Sequence, residues 1–380
     1  MIGRLVHELT QFHSVALAYL RAHDEPPMEE ALAERCALVK EVPRPGMPKD
    51  MSRSARRLKA WVRGVPIWVE DWRVPSFGTC LRQLVEEWRP QVVQFEFHTM
   101  AQYVADAWNC PTVLVEHEPG AAAARDRWLL SRGWRRPFLG RDARSWEAYE
   151  QTNLEKFDAV VCFTDRDRRT LLRLAPNERV EVISPCGPSL VSPVSKEAES
   201  NDTVLFVGNF VHPPNVDAAV WLTKRILPQV WTRHPKAVLQ LVGAAPPFSV
   251  RRLATSRVLV TGTVPDVAPY LTAATVVLAP LRMGGGIRIK VMDALALGKA
   301  VVATPLAAEG LGVSDGQELL MAEGEQAFAD AVSRTLSDAQ LRQSLSQNAR
   351  RWAARFGEPA RVGAAFERLY ESLSLPETKP

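Results

Sequence analysis

Long apolar runs are missing from this 380-residue chain. No stretch approaches the roughly 18–20 uninterrupted apolar residues that a membrane-spanning helix needs. Arg4, His7 and Glu8 interrupt the amino terminus where a secretory signal needs its apolar region, so cytoplasmic residence is expected. Cysteine is scarce as well. Cys36, Cys80, Cys110, Cys162 and Cys186 form an odd set with no C-x-x-C pair, which speaks against a disulfide framework and a zinc site alike. Charge of one sign is also in short supply: a formal net charge of +4 does not predict nucleic-acid binding, and no helix-turn-helix, zinc or RNP-like pattern accompanies the basic residues. No residue cluster requires a metal or a bound cofactor.

What remains is an ordinary globular composition, 46% hydrophobic and 24% charged, in a chain long enough for about two domains. Helical and strand patterns alternate along most of it. A helix from Arg4 leads to a strand over 13–20, and strands are expected over 90–97, 111–117, 158–163 and 180–184, separated by helices that include a long Arg- and Trp-rich region over 121–156. Residues 40–55 give no assignable pattern. Periodicity then vanishes over 186–202, where Pro, Ser and charge collect as in a linker. Alternation restarts with strands at 203–208, 237–242, 258–261, 275–279 and 300–304, helices from 215, 265 and 286, and a helical stretch over 325–374. The expected organisation is an α/β amino-terminal domain over 1–185, a linker over 186–202, a second Rossmann-like domain over 203–355, and a last helix and tail over 356–380 that packs back on the first domain. Parallel sheets of this kind bind ligands beyond the carboxyl ends of their strands.

The most informative segment runs from Pro280 to Thr304, where a strand end passes through Gly284, Gly285 and Gly286 into a helix. Glycines permit close backbone approach, and the free amides and dipole of a helix start favour an anion. Arg282, Arg288 and Lys290 surround the turn and could neutralise a diphosphate, while Asp293 could accept hydrogen bonds from ribose hydroxyls. On the first half of the chain, Glu96, His98, Glu116 and Glu118 fall at neighbouring strand ends, where they could bind an acceptor hydroxyl or serve as a base.

The 280–304 segment, with Val207-Gly-Asn-Phe-Val-His-Pro-Pro-Asn-Val-Asp-Ala-Ala, Thr261-Gly-Thr-Val-Pro-Asp-Val-Ala-Pro-Tyr and Ala307-Ala-Glu-Gly-Leu, resembles the GT-B glycosyltransferases of family 4, also called group 1. The resemblance covers 203–374 strongly and 1–190 more weakly. It implies two Rossmann-like domains facing each other across a cleft, and a retaining enzyme that moves a sugar from a nucleotide-diphosphate donor to a saccharide or lipid-linked acceptor, as in cell-surface polysaccharide synthesis. It also implies that Gly285, Gly286 and Ile287 hold the diphosphate, Asp293 the ribose, the backbone around Val264 the base, and His117 the donor sugar. The loop carrying Gly208 and Asn209 would border the phosphates.

The chain departs from the family pattern in three places. Two glutamates eight positions apart are replaced by Gly285 and Asp293. The loop after 203–208 carries Asn209 and Pro214 where the family has Arg and Lys, so Arg282, Arg288 or Lys290 would have to substitute. The sequence also opens on a helix, without the family's first strand and Gly-rich loop. These departures leave a second reading, a catalytically silent GT-B-like binding or scaffold subunit, and the same two-domain scaffold would also suit a nucleotide-sugar epimerase. Finally, arginines interleave with Trp128, Trp134, Phe138 and Trp146 over 121–146, and 53–73 repeats the mixture; such faces suit solvated helices whose tryptophans pack on the domain, polyanionic acceptors, or peripheral contact with anionic headgroups at the inner face of a membrane.

Overall fold

The computed structural model describes residues 2–23, 25–44, 51–105, 108–188 and 202–374. Most of the expected linker, 189–201, lies outside the described residues. The chain divides into two compact units, Met1–Cys186 together with Pro359–Pro380, and Gly187–Glu358.

The first unit holds two parallel sheets. β1 (Ala16–Ala22) pairs with β2 (Leu38–Arg44), and β3 (Val93–Glu96), β4 (Thr112–Glu116), β5 (Ala159–Cys162) and β6 (Val180–Val182) follow one another in that order. β4 and β5 are buried along their whole length, which is why they read as unbroken apolar runs and not as alternating ones. β2 runs into the start of the stretch, 40–55, to which the sequence assigns no structure. It pairs only with β1 among the described residues, carries Pro43, and shows no alternation of burial, all features of an edge strand that erase the usual pattern.

The long helical region expected over 121–156 is broken in two. Helices Gly120–Leu130 and Arg136–Leu154 flank a turn in which Gly133 adopts a φ of 70°. They pack on each other through Ala121, Ala124, Ala143 and Trp146. Gly120 is required at that contact, because a Cβ there would lie 2.2 Å from the Trp146 ring. The last helix, Pro359–Ser374, belongs to this unit and packs on the first one, Ile2–Leu9.

The second unit is a single six-stranded parallel sheet. Its strands are β7 (Thr203–Val207), β8 (Val238–Val242), β9 (Val258–Gly262), β10 (Val276–Ala279), β11 (Val301–Ala303) and β12 (Leu320–Met321), in the order β12-β11-β10-β7-β8-β9. In sequence terms this is the 3-2-1-4-5-6 order of a doubly wound nucleotide-binding sheet, with its reversal between β7 and β10. β10 and β11 are fully buried and rich in valine, and Phe206, Leu239 and Leu241 pack the core beside them.

Candidate functional site

In the second unit, the loops after β7 and β10 leave adjacent strands on either side of the reversal point, where ligands of such sheets bind. Two glycines bring the loops after β7 and β8 together. A Cβ on Gly243, whose φ is +145°, would lie 2.0 Å from the Gly208 carbonyl oxygen, and one on Gly208 would press on Asn215 at 2.9 Å. Only bare backbone fits there. Asn215 then ties the site together. Its Nδ2 donates to the Asn209 carbonyl at 2.7 Å, and its Oδ1 accepts from Lys290 Nζ. The Asn209 side chain turns back on its own loop and accepts from the Val211 amide.

After β10, Gly284 and Gly286 have φ values of 107° and 69°, so the glycine loop uses backbone that other residues rarely adopt. Thr304 Oγ1 donates to the Leu281 carbonyl at 2.5 Å, and the Arg288 guanidinium donates to the Gly285 carbonyl, fixing the loop from both ends. Helix Ile289–Ala296 starts three residues later than the expected 286, because Gly286 is in the left-handed region. Its first turn carries no side-chain cap, which leaves the arrangement suited to an anion. Gly284, Gly285, Gly286 and Ile287 are buried, and Asp293 is half-buried farther along the same helix.

The cations are not equivalent. Arg282 donates to both carboxylate oxygens of Asp217, at 3.0 and 2.6 Å, and lies 4.7 Å over the Trp221 ring. Lys290 instead stands over the face of Phe206, 4.8 Å from the ring centre. Burial, reinforced by the Arg288 charge, pushes its ammonium down to about 7. Val264 is half-buried in the turn following β9.

In the first unit, His117 follows β4, is buried, and brings Nε2 within 2.6 Å of Glu96 Oε2 at the end of β3. Its ring stacks on Phe97 with centres 3.9 Å apart and meets the Phe163 edge at 5.0 Å. Phe97 itself holds a φ of 74°, a strained value for a residue with a bulky side chain. A hydrogen-bonded chain continues outward: Gln94 Nε2 donates to Glu96 Oε1 at 2.6 Å, and the Tyr370 hydroxyl on the last helix donates to Gln94 Oε1. His117 and Glu96 border a small apolar hollow lined also by Leu5, Val362 and Phe366.

His98 is placed differently from the acceptor-side expectation. It is buried, its Nδ1 is 2.9 Å from Glu116 Oε1, and its ring meets the edges of Trp146 and Trp68 at 4.9 and 5.8 Å. Burial alone would lower its pKa, but the Glu116 carboxylate outweighs that and holds it raised. Beside it, Glu150 accepts from the Gly120 and Ala121 amides while burial and the Glu116 charge push its carboxyl upward. His98, Glu116 and Glu150 therefore form an internal polar cluster, and His98 is a core partner with no surface to offer an acceptor. Glu118 is half-buried.

Asn215, Gln94 and Tyr370 are the site neighbours that sequence reasoning missed. For Asn215 a signal existed: an asparagine in the first turn of helix Pro213–Trp221, on the side shared with the apolar Ala218, Ala219 and Trp221 that are buried with it, is a polar group in need of partners.

The two parallel α/β units, the second with the doubly wound strand order, are those of the GT-B fold. Solved structures agree: sucrose-phosphate synthase from Thermosynechococcus elongatus matches over 97% of this chain and 92% of its own, with TM-score 0.74 and 16% identity. HepE from Anabaena, in complex with UDP and glucose, matches over 97% and 95% with TM-score 0.67 and 13% identity. WaaG, a glycosyltransferase involved in lipopolysaccharide biosynthesis, matches over 98% and 94% with TM-score 0.64 and 14% identity. The family model described as Glycosyltransferase Family 4 matches residues 1–186, and that described as Glycosyl transferases group 1 matches residues 201–338. The chain belongs to the family 4, or group 1, glycosyltransferases. A curated relative, an uncharacterized 44.6 kDa protein in the cps region of Klebsiella pneumoniae, is 28% identical over 141 residues, 35% of this chain and 36% of that protein. The chain thus matches about a third of that relative's length.

Proposed function

We propose that this protein is a retaining glycosyltransferase that moves a sugar from a nucleotide-diphosphate donor to a hydroxyl of a saccharide or lipid-linked acceptor in cell-surface polysaccharide synthesis, working at the inner face of a membrane. The observation that carries the donor half is the Lys290–Asn215 bridge beside the buried glycine loop at the point where strand order reverses. In this reading the amides of Gly285, Gly286 and Ile287 and the Lys290 ammonium hold the diphosphate. Arg288 fixes the loop, Asp293 takes the ribose hydroxyls, and backbone near Val264 meets the base. Arg282, already bound to Asp217, shapes the neighbourhood without being the main counter-charge.

In the transfer step the bond between the anomeric carbon and the diphosphate oxygen breaks as the acceptor oxygen bonds to that carbon on the same face. The acceptor proton leaves with the departing phosphate oxygen or to solvent. Catalysis then rests on positioning and on stabilising the charge of the leaving diphosphate, tasks suited to fixed amides and a half-buried cation. His117, oriented by Glu96, is the group of the first unit assigned to the reaction. The relative from a cps region supports the polysaccharide assignment.

The test is calorimetric titration of uridine, guanosine and adenosine diphosphates and their sugars into the native chain and into Lys290→Ala and Asp293→Ala. Tight binding of one nucleotide, weakened in both variants, supports the donor site and selects the donor for a transfer assay. Absence of binding to every nucleotide overturns it. Donor binding without turnover would favour a silent binding subunit, the alternative suggested by Gly285 standing where the family has a glutamate.

A further inference from the structure

Phe97 carries a backbone strain that its burial does not offset. At φ 74° and ψ 141° it lies close to a region that glycine alone occupies readily. Arg89 also has a positive φ, but at φ 50° and ψ 60° it takes the ordinary left-handed form in which many helices end. A buried ring could outweigh such strain through the apolar area it removes from water. The Phe97 side chain belongs instead to a residue that is 43% exposed. What its ring does meet is His117, face on face, with 3.9 Å between centres and 23° between planes.

The conformation is held from several directions. The Phe97 amide donates to the Val115 carbonyl at 3.0 Å, and the Phe97 carbonyl accepts from the Met100 amide at 2.9 Å. The next residue, His98, is anchored in the core: its Nδ1 lies 2.9 Å from Glu116, and its carbonyl accepts from the Tyr149 hydroxyl at 2.9 Å. Glu116 immediately precedes His117. The His98–Glu116 contact therefore ties together, inside the core, the neighbours of the two residues whose rings stack beside the hollow. Strained residues persist where their surroundings over-determine them, and the internal polar cluster supplies that grip.

His117 gains a wall from this arrangement. Its Nε2 lies 2.6 Å from Glu96 Oε2, which leaves Nδ1 for a substrate. A single hydrogen bond lets a ring swing about it. The Phe97 face on one side and the Phe163 edge at 5.0 Å narrow that swing. We propose that Phe97 is a positioning residue, kept in a glycine-like backbone conformation so that its ring sets the orientation of the His117 imidazole. Its importance for transfer rests on the reading of His117 as the group of the first unit that acts in the reaction.

The test compares Phe97→Gly and Phe97→Tyr with the native full chain by melting temperature, steady-state transfer, nucleoside diphosphate affinity and NMR relaxation of the His117 imidazole, whose signals are assigned by their loss in His117→Gln. Glycine accepts this backbone without strain, so Phe97→Gly should melt no lower than the native chain. Its kcat should nonetheless fall about tenfold, the scale of a misplaced reacting group, with nucleotide affinity unchanged and the imidazole more mobile. Phe97→Tyr keeps the ring and should restore both kcat and rigidity. Transfer at the native rate in Phe97→Gly would overturn the proposal, as would a melting temperature well below native with rate lost only in proportion to the unfolded fraction. If the native chain transfers no sugar, the transferase reading fails and the relaxation measurement still decides the placement. Greater mobility in Phe97→Gly, reversed in Phe97→Tyr, supports positioning; equal mobility in all three chains overturns it.

Discussion

Lys290 donates from its Nζ to Asn215 Oδ1, joining the helix that follows the glycine loop to the helix that follows β7. The same asparagine holds the Asn209 carbonyl. One buried amide thus fixes the only lysine of the glycine segment that is held close to the reversal point, while the nearby Arg282 is turned toward Asp217.

Lys290 should make donor binding and stability depend on pH in opposite ways. Its native pKa of about 7 lies below the ordinary lysine value of 10.5. Between those values the unfolded chain binds more protons than the native one, so this group's contribution to stability rises as pH climbs from 7 to 10.5. Below 7 the ammonium is charged in the native state too, and the cost of its desolvation is carried in full. Lys290→Met is therefore expected to raise the melting temperature at neutral pH and below, by a margin that shrinks in alkaline buffer. A diphosphate favours the charged form, so calorimetry at about pH 8 in buffers of differing ionisation enthalpy should show proton uptake on nucleotide binding. The Met variant should bind about 10–100-fold more weakly and show no uptake.

The proposed ribose role of Asp293 can be tested apart from the phosphate contacts. Asp293→Ala is expected to weaken a nucleoside diphosphate by about tenfold, the worth of a charged hydrogen-bond acceptor, and to leave inorganic pyrophosphate unchanged. Lys290→Met should weaken both. Equal losses for nucleotide and pyrophosphate in Asp293→Ala would remove the ribose assignment.

The second unit was legible because its strands are short valine-rich runs bounded by glycine or proline, and each expected strand there lies within a residue or two of an observed one. The first unit was less so. β2 is an edge strand whose burial does not alternate, and Pro43 masks it further. The 121–156 helical region is interrupted by Gly133, a break that a helical wheel with arginines on every side does not reveal. At the sites, the glycine loop and Lys290 follow from local sequence. Asn215, lying 75 positions before Lys290, and Tyr370, 276 positions after Gln94, are brought in by tertiary structure alone. The carboxylates and histidines at the ends of β3 and β4 looked alike in sequence. Folding sorts them by which face of the strand end they occupy: Glu96 and His117 at the hollow, His98 and Glu116 in the core.

The internal cluster should be visible in the stability profile. Burial first, and the Glu116 charge second, raise the Glu150 pKa above 4.5, so the native state holds a proton that the unfolded chain has released. That contribution is complete below about 4.5 and is lost as pH rises through the raised native value. Glu150→Gln keeps an oxygen for the Gly120 and Ala121 amides and cannot ionise. Its melting temperature relative to the native chain should increase steadily with pH, and a difference that is flat between mildly acidic and mildly alkaline buffer would show that Glu150 titrates normally.

His117 and Tyr370 offer a way to separate chemistry from support. His117→Ala is expected to cut the transfer rate by about a hundredfold, the scale of a lost acid–base or charge-stabilising group, with the affinity for a nucleoside diphosphate unchanged. Tyr370→Phe removes only the hydroxyl that reaches Gln94, so about 1 kcal/mol of stability should be lost. Because Gln94 also bonds Glu96, which holds His117, the transfer rate should fall too, by much less than in His117→Ala. Gln94→Ala should reproduce the Tyr370→Phe rate. If Tyr370→Phe lowers the melting temperature and leaves the rate of the remaining folded enzyme untouched, the chain from the last helix to His117 is structural support, and the imidazole is held by Glu96 and the rings of Phe97 and Phe163 alone.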